Sequence, residues 1–229
     1  MRCGLFSSSL VLAAIGATLL AAPAGSRTDV PAIPALQRFL AIEYGVIRQA
    51  TTTRHLEARN EHFDTDAWMD VRTDADATGF RYTVLAEGGS GLVRSKALRG
   101  ALEQEKRAWS DGAATKSWFT PDNYQFADGG MDGDGLTRVA VNPRRKDTLL
   151  LDGAIFLRPE DGALIRIEGT LARSPSFWTK RIQVVRHYAT IAGIQLPVAV
   201  ESTAQIRIAG SSSFRMRYTY LTVNGTRID

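Results

Sequence analysis

Cysteine is almost absent from this sequence. Of the 229 residues only Cys3 is a cysteine, and it lies within an N-terminal segment that we predict to be removed. The mature chain would then contain no thiol, which excludes an internal disulfide, a thiolate nucleophile and a cysteine metal site. About 205 residues would remain after this removal, which is enough for one domain that is stabilised by its hydrophobic core.

Histidine is also scarce, and its spacing is not that of a metal site. The three histidines fit no H-E-x-x-H or similar pattern, and they are His55, His62 and His187. The segment Asp132–Gly135 has the composition of a calcium loop. When its aspartates occupy loop positions three and five, however, Val141 falls at position twelve, where a bidentate glutamate is required. We therefore predict no metal site and no cofactor.

Motifs for catalysis are incomplete. The run Gly88-Gly89-Ser90-Gly91-Leu92 nearly matches the nucleophile elbow G-x-S-x-G, but Leu92 stands where the last glycine is needed. No G-K-[ST] follows it to complete a phosphate loop. Five aspartates between positions 64 and 76 could supply an acid–base pair, but they are scattered over two predicted strands and a loop. We predict no catalytic residue and no enzymatic activity.

Charge of one sign is not concentrated anywhere along the chain. The formal net charge is +4, and the only local basic groups are Arg144-Arg145-Lys146 and Lys180-Arg181. A nucleic-acid interface needs a basic patch or stripe. We therefore predict no nucleic-acid partner.

The N-terminus has the layout of a secretory signal peptide. Arg2 precedes an apolar run from Leu10 to Ala22, and small residues follow at Ala22-Pro23-Ala24. The run is shorter than the roughly 20 residues of a spanning helix, although an uncleaved anchor remains the alternative. We predict a signal peptide at 1–24, a flexible leader at 25–34 and a single domain at 35–229, with no transmembrane segment in the mature chain.

Two segments have helical patterns. Between Ser95, which we expect to be the N-cap, and residue 109, apolar side chains fall on one helical face. The apolar spacing between 35 and 48 is helix-like but imperfect. We predict a helix at about 95–109 and a weaker one after residue 35.

The rest of the chain alternates between apolar and polar residues, which is typical of strands with one covered face. Short turns separate these strands, as in an antiparallel meander. The predicted strands cover residues 52–63, 67–75, 79–87, 124–126, 136–141, 149–157, 163–172, 181–190, 194–200, 204–209 and 214–223, and Gly210-Ser211-Ser212 is predicted to be a turn. The fold class is therefore α+β and mainly β.

Three segments in the C-terminal half carry a family resemblance: Asp152–Gly169, Pro175–Arg181 and Gly193–Pro197, the last with the x-L-P ending. Together they resemble the bacterial outer-membrane lipoprotein-sorting superfamily, whose members include LolA, LolB and RseB. The resemblance covers about residues 120–223 fairly well and 35–110 loosely. It implies an unclosed antiparallel β half-barrel, with helices covering the open concave face.

The resemblance also implies a function. An incompletely closed sheet that is lined by aromatic residues leaves a concave apolar face, the usual form of a small-ligand site. We expect a periplasmic, soluble carrier for a lipid or a lipoprotein acyl chain in cell-envelope biogenesis. The alternative is an envelope-stress sensor or protein-interaction module that uses the same face. The residues expected to line the ligand cavity are Trp68, Phe80, Tyr82, Leu98, Leu102, Trp109, Phe156, Trp178, Phe214 and Tyr218.

Overall fold

A computed structural model of the chain describes residues 30–43, 45–110, 118–174, 179–207 and 210–228. Helix α1 spans Pro34–Ala41, and helix α2 is a continuous helical run made of Gly91–Val93, the π-helical turn Arg94–Leu98 and Arg99–Ser110. The strands are β1 (Ala50–Asn60), β2 (Thr65–Asp76), β3 (Gly79–Gly89), β4 (Tyr124–Met131), β5 (Thr137–Pro143), β6 (Leu151–Leu157), β7 (Leu164–Leu171), β8 (Thr179–Ile191), β9 (Ile194–Ile206), β10 (Gly210–Val223) and β11 (Thr226–Arg227).

Within the described ranges, all eleven strands belong to one antiparallel sheet. Its order is β3-β2-β1-β10-β9-β8-β7-β6-β5-β4, and β11 pairs with β10. Strands β3 and β4 form the two edges and do not pair with each other, so the sheet is not closed into a barrel. The predicted fold class, mainly β with an unclosed antiparallel sheet and covering helices, is confirmed.

One face of the sheet, here called the inner face, is apolar and carries both helices. The alternation of buried and exposed residues in β10 matches the predicted one. A single row of paired inner residues crosses eight strands, from β2 to β5. The row consists of Met69, Leu56, Met216, Val200, Arg186, Ile167, Ile155 and Val139. The opposite, outer face carries most of the charged side chains.

Each helix covers one half of the inner face. Leu98 and Leu102 of α2 are fully buried in a cluster with residues of β1, β2, β3, β9 and β10. Leu36 and Phe39 of α1 are buried in a second cluster with residues of β4 to β9. Ile33 is buried in this second cluster, so the packed structure already begins within the segment 25–34 that we predicted to be a flexible leader.

Two helix boundaries differ from the sequence prediction. Helix α2 begins at Gly91 rather than at about 95, because Ser90 is its N-cap and the Ser90 side chain accepts a hydrogen bond from the Val93 N–H at 3.5 Å. Ser95, the predicted cap, lies inside the π-helical turn. Helix α1 ends at Ala41, because Ile42 is extended and its N–H bonds to the Phe39 carbonyl. The apolar helical spacing breaks down at the same point.

The predicted turn at residues 210–212 was also wrong. Gly210, Ser211 and Ser212 are the first residues of β10, where they pair with β9, and Ser212 also pairs with Asn60 of β1. Neighbouring strands on both sides satisfy the backbone hydrogen bonds of this segment, and such tertiary pairing outweighs its weak strand propensity.

The close approach of β6 and β7 requires glycine. Gly153 and Gly169 face each other across these strands, and a Cβ atom on Gly153 would collide with the Glu168 carbonyl oxygen and lie 2.5 Å from the Gly169 Cα. Because backbone atoms cannot rotate aside, we expect Gly153→Ala to destabilise the fold by about 1–3 kcal/mol, the usual size of an overpacking effect. Urea denaturation measures this change.

Gly133→Ala is the matched control, because a Cβ atom there would meet no described atom within 4 Å. We expect this control to stay within about 0.5 kcal/mol of the parent protein. Equal stabilities of the two variants would contradict the close approach of β6 and β7.

Candidate functional site

Seven of the ten residues predicted to line a cavity lie together. They form or pack against the hydrophobic cluster between α2 and the sheet. Phe80, Phe214 and Tyr218 come from the sheet, whereas Leu98 and Leu102 come from the helix, and Tyr82 and Trp109 are partly buried against them. Polar contacts complete the attachment of α2: the Tyr82 hydroxyl donates to Glu103 at 2.9 Å, and the Trp109 indole N–H donates to the Asp76 carbonyl at 3.1 Å.

Trp68 does not belong to this cluster. Its neighbours Ala67 and Met69 are buried on the inner face, whereas Trp68 is 37% exposed on the outer face and stacks on His55. It borders a shallow outer groove of about 600 Å³ that is lined mainly by charged side chains, such as Glu57. The prediction of an inner position for Trp68 is therefore corrected, because successive residues of a strand point to opposite faces.

Phe156 also lies away from the α2 cluster. It is buried on the side of β6 opposite Ile155, where the Arg166 guanidinium covers its ring at 4.1 Å. Arg166 in turn bonds Asp132 at 2.9 Å and so ties the β4–β5 hairpin to β7. Phe156 therefore has a structural position under a salt bridge rather than one in a ligand cavity. Trp178, the remaining predicted residue, lies outside the described residues.

A buried ion pair that the sequence analysis did not single out lies at the centre of the α2 interface. Both terminal nitrogens of Arg54 on β1 bond the two carboxylate oxygens of Glu105 on α2, at 2.5 and 3.0 Å. The side chains are only 7% and 9% exposed. Such a two-point arginine–carboxylate contact is short, strong and geometrically specific.

The sheet, not the helix, holds Arg54 in place. Its Nε donates to the Thr52 hydroxyl at 3.1 Å, and Thr52 shares a 2.5 Å hydrogen bond with Thr73. The guanidinium lies 5.2 Å from the centre of the Phe80 ring and 4.7 Å from that of Tyr218, within cation–π distance of both. Burial lowers the pKa of Arg54, but the attraction of Glu105 outweighs it, so the net pKa is raised and the residue stays charged.

The space left beside this ion pair is small. A cavity of about 40 Å³ lies between α2 and strands β1, β2, β9 and β10. A water molecule needs a cavity volume of roughly 10–15 Å³, so this cavity admits a few waters. Pockets for drug-sized ligands are much larger, with volumes of roughly 300–1,000 Å³. With α2 docked, the helix itself fills this half of the inner face. The lining residues are Ile47, Ala50, Thr52, Arg54, Thr73, Ala75, Glu105, Trp109, Leu196, Pro197, Tyr218 and Tyr220.

The two tyrosines that line this cavity differ in the hydrogen bonding of their hydroxyl groups. The Tyr220 hydroxyl donates to the Pro197 carbonyl at 2.9 Å. The Tyr218 hydroxyl is buried and has no hydrogen-bond partner among the described residues. Burial raises the pKa of both tyrosines, so both remain neutral hydrogen-bond donors at physiological pH.

A buried tyrosine in the other half of the core predicts a loss of stability at high pH. Burial raises the pKa of Tyr124 to about 12, whereas an unfolded tyrosine ionises near pH 10. Below pH 10 the protonated side chain contributes fully to stability, and this contribution is lost as the pH rises to about 12. The difference corresponds to about 2.7 kcal/mol.

Urea denaturation at pH 9 to 12 measures this effect in the parent protein and in Tyr124→Phe. We expect the variant to lose about 2 kcal/mol less than the parent over that interval, because folded Tyr124 is only half ionised at pH 12. An identical alkaline loss in both proteins would contradict the assignment to Tyr124.

The described residues offer little else of chemical note. Among them there is no group of three or more His, Cys, Asp or Glu side chains that could hold a metal ion. No helix in the described part of the chain is both long and apolar enough to cross a membrane.

Comparisons with known proteins find similarity at the level of solved structures. No protein-family model and no curated protein matches the sequence. An outer-membrane lipoprotein-sorting protein domain from Vibrio parahaemolyticus is similar, with 10% identity and a TM-score of 0.41, over 86% of this chain and 94% of that chain. A LolA superfamily protein from Nitrosomonas europaea has 10% identity and a TM-score of 0.37, over 85% and 93%.

A third similar structure is a DUF1329 family protein from Desulfovibrio piger. It has 9% identity and a TM-score of 0.37, over 81% of this chain and 88% of that chain. The Vibrio and Nitrosomonas proteins bear the name of the superfamily that the sequence resembles.

Proposed function

We propose that this chain is an exported, periplasmic binding or carrier protein for a hydrophobic ligand, such as a lipid or a lipoprotein acyl chain, in cell-envelope biogenesis. The observation that carries the proposal is an apolar inner sheet face that is covered, over half its extent, by the single helix α2. The ligand would take the place of α2 on β1, β2, β3 and β10. Binding of this kind needs no catalytic group, and we propose no enzymatic activity.

The interface between α2 and the sheet is suited to opening. Glu105 is a charged group buried among apolar residues, and a buried ion pair adds little net stability because both ions lose their hydration. When α2 leaves the sheet, the Glu105 carboxylate is hydrated again, and exposing this side chain does not expose apolar surface. The remaining attachments include partly buried ion pairs from Glu87 to Arg94 and Arg99.

The magnitudes allow a ligand to displace the helix. Exposing Leu98 and Leu102 costs about 1.5–3 kcal/mol each, or about 3–6 kcal/mol together. Burying an acyl chain contributes about 0.8 kcal/mol per methylene, so twelve carbons contribute on the order of 10 kcal/mol before ordering costs. Exchange of α2 for an acyl chain is therefore feasible.

A second candidate function follows from the same geometry. Because the inner face already binds a helix, the amphipathic helix of a partner protein could replace α2, as an envelope-stress sensor or interaction module would require. Native mass spectrometry of the chain purified from a periplasm separates the two functions. Co-purified lipid supports the carrier, whereas a co-purified peptide or protein supports the interaction module.

Fluorescence quenching by 12-bromododecanol tests the proposed site. Tyr82 faces α2, whereas its neighbour Thr83 is exposed. A tryptophan at position 82 therefore reports on the inner face of β3, and a tryptophan at position 83 reports on the outer face. We expect the fluorescence added by Tyr82→Trp to be quenched and that added by Thr83→Trp to be unaffected. Equal quenching of the two reporters, or no quenching of either, would contradict a ligand site on the inner face.

A further inference from the structure

The position of Arg54 constrains the chemistry of any molecule that replaces α2. All contacts that orient the guanidinium, apart from Glu105, come from strands: Thr52 on its own strand, and the rings of Phe80 and Tyr218. Arg54 therefore remains on the inner face when α2 leaves. A cation consequently lies in the middle of the surface that the proposed ligand would cover.

Glu105 is the counter-charge, and it travels with the helix. Among the described residues, Glu105 supplies the carboxylate within ion-pair distance of Arg54. A purely hydrocarbon ligand would bury the guanidinium without a counter-charge, which is strongly unfavourable in apolar surroundings. A ligand with its own carboxylate or phosphate would instead restore the two-point contact.

A second, independent feature at the same place favours a ligand oxygen. Tyr218 lines the small cavity together with Arg54 and Glu105, and its buried hydroxyl has no partner in the described part of the chain. Buried hydroxyl groups in proteins are normally hydrogen-bonded. An oxygen-bearing head group on Arg54 would come within the same cavity and accept a hydrogen bond from the Tyr218 hydroxyl.

We infer that the hydrophobic ligand carries an anionic oxygen group at one end, as a fatty-acid carboxylate does, and that Glu105 occupies the place of this group while α2 is docked. The inference rests on the proposed function and narrows its ligand class. Glu105 then acts as an internal competitor: the helix supplies Leu98 and Leu102 in place of the acyl chain, and Glu105 in place of the head group.

Four probes with the same twelve-carbon chain test the inference: dodecanoate, dodecyl phosphate, dodecanol and dodecyltrimethylammonium. Their dissociation constants are measured by titration calorimetry at pH 8, below micelle-forming concentrations. We expect dodecanoate or dodecyl phosphate to bind at least tenfold more tightly than dodecanol, and the cationic probe to bind most weakly. Acetate and inorganic phosphate, which lack a chain, should not compete.

Two variants assign the preference to the ion pair. Glu105→Gln removes the competing charge and weakens the docking of α2, so the dissociation constants of dodecanol and dodecanoate should both fall while their ratio stays as in the parent protein. The double variant Arg54→Leu/Glu105→Leu removes the pair without leaving a lone buried charge, and apolar replacements of this kind are tolerated in protein interiors. In this variant the ratio should fall to about one, while dodecanol still binds.

The outcomes separate this inference from the proposed function. If the parent protein binds dodecanol and dodecanoate equally, the anionic ligand class is overturned and the hydrophobic binding site stands. If the double variant keeps the preference for dodecanoate, the anion binds at another cation of the inner face, such as Arg186, and the role of Arg54 is overturned. If no probe binds to any variant, both the inference and the proposed function fail.

Discussion

Replacing Arg54 with leucine is expected to destabilise the fold by about 3–5 kcal/mol, because the substitution leaves the Glu105 carboxylate buried without a counter-charge. Urea denaturation measures the change. Loss of both partners should cost far less, so Arg54→Leu/Glu105→Leu is expected to recover most of the lost stability. The parent contact is bidentate and more than nine-tenths buried on each side, which places it in the class of pairs where this asymmetry is large.

Arg217 provides the matched control. It is an arginine on the neighbouring strand β10 and pairs with Glu57 at 3.3 Å, but it is 65% exposed. We expect Arg217→Leu to change stability by less than about 1 kcal/mol, as is usual for exposed pairs. If Arg54→Leu costs no more than Arg217→Leu, the buried contact between β1 and α2 does not exist as described.

Replacing Leu102 with alanine is expected to have the second large effect, a loss of about 2–5 kcal/mol. Leu102 is fully buried between α2 and the sheet, and its truncation removes apolar contacts and leaves a cavity. The variant should also show faster amide hydrogen exchange in residues 91–110, because Leu102 holds this helix on the sheet.

Leu92 on the same helix is the control for this prediction. It is 67% exposed, so Leu92→Ala should change stability by no more than about 0.5 kcal/mol. Similar losses in the two variants would show that α2 does not pack through the face that carries Leu102.

The fold was predictable from sequence because alternation is a local property. In β10 the buried set from Phe214 to Tyr220 and the exposed set with Arg215 and Arg217 can be read directly from the order of residues. The start of β10 was not predictable, because Gly210 and the two serines after it have turn composition and extend the strand through pairing with β9 and β1.

Two aromatic residues depart from the predicted inner position. The residues Ala67, Met69 and Val71 are the buried set of β2, so strict alternation places Trp68 on the outer face. For Phe156 the alternation is uninformative, because β6 is apolar on both faces and the outer one is covered by Arg166.

The positions of Arg54 and Glu105 follow sequence patterns that a selection of large apolar residues does not include. Glu105 follows Leu98 and Leu102 at helical spacing and precedes Trp109, so it falls on the apolar face of α2. Arg54 lies two residues before Leu56, so both side chains fall on the buried side of β1. Each position could therefore be placed on an inner face, but their contact could not be predicted, because it depends on how α2 lies across the sheet.

The proposed function requires α2 to give way to a ligand on the inner face. Amide hydrogen exchange of the chain, measured with and without saturating dodecanol, tests this most directly. The account predicts that residues 91–110 exchange faster when dodecanol is bound, while β1 and β10 keep or gain protection. Bound dodecanol with unchanged or slower exchange in α2 would contradict it.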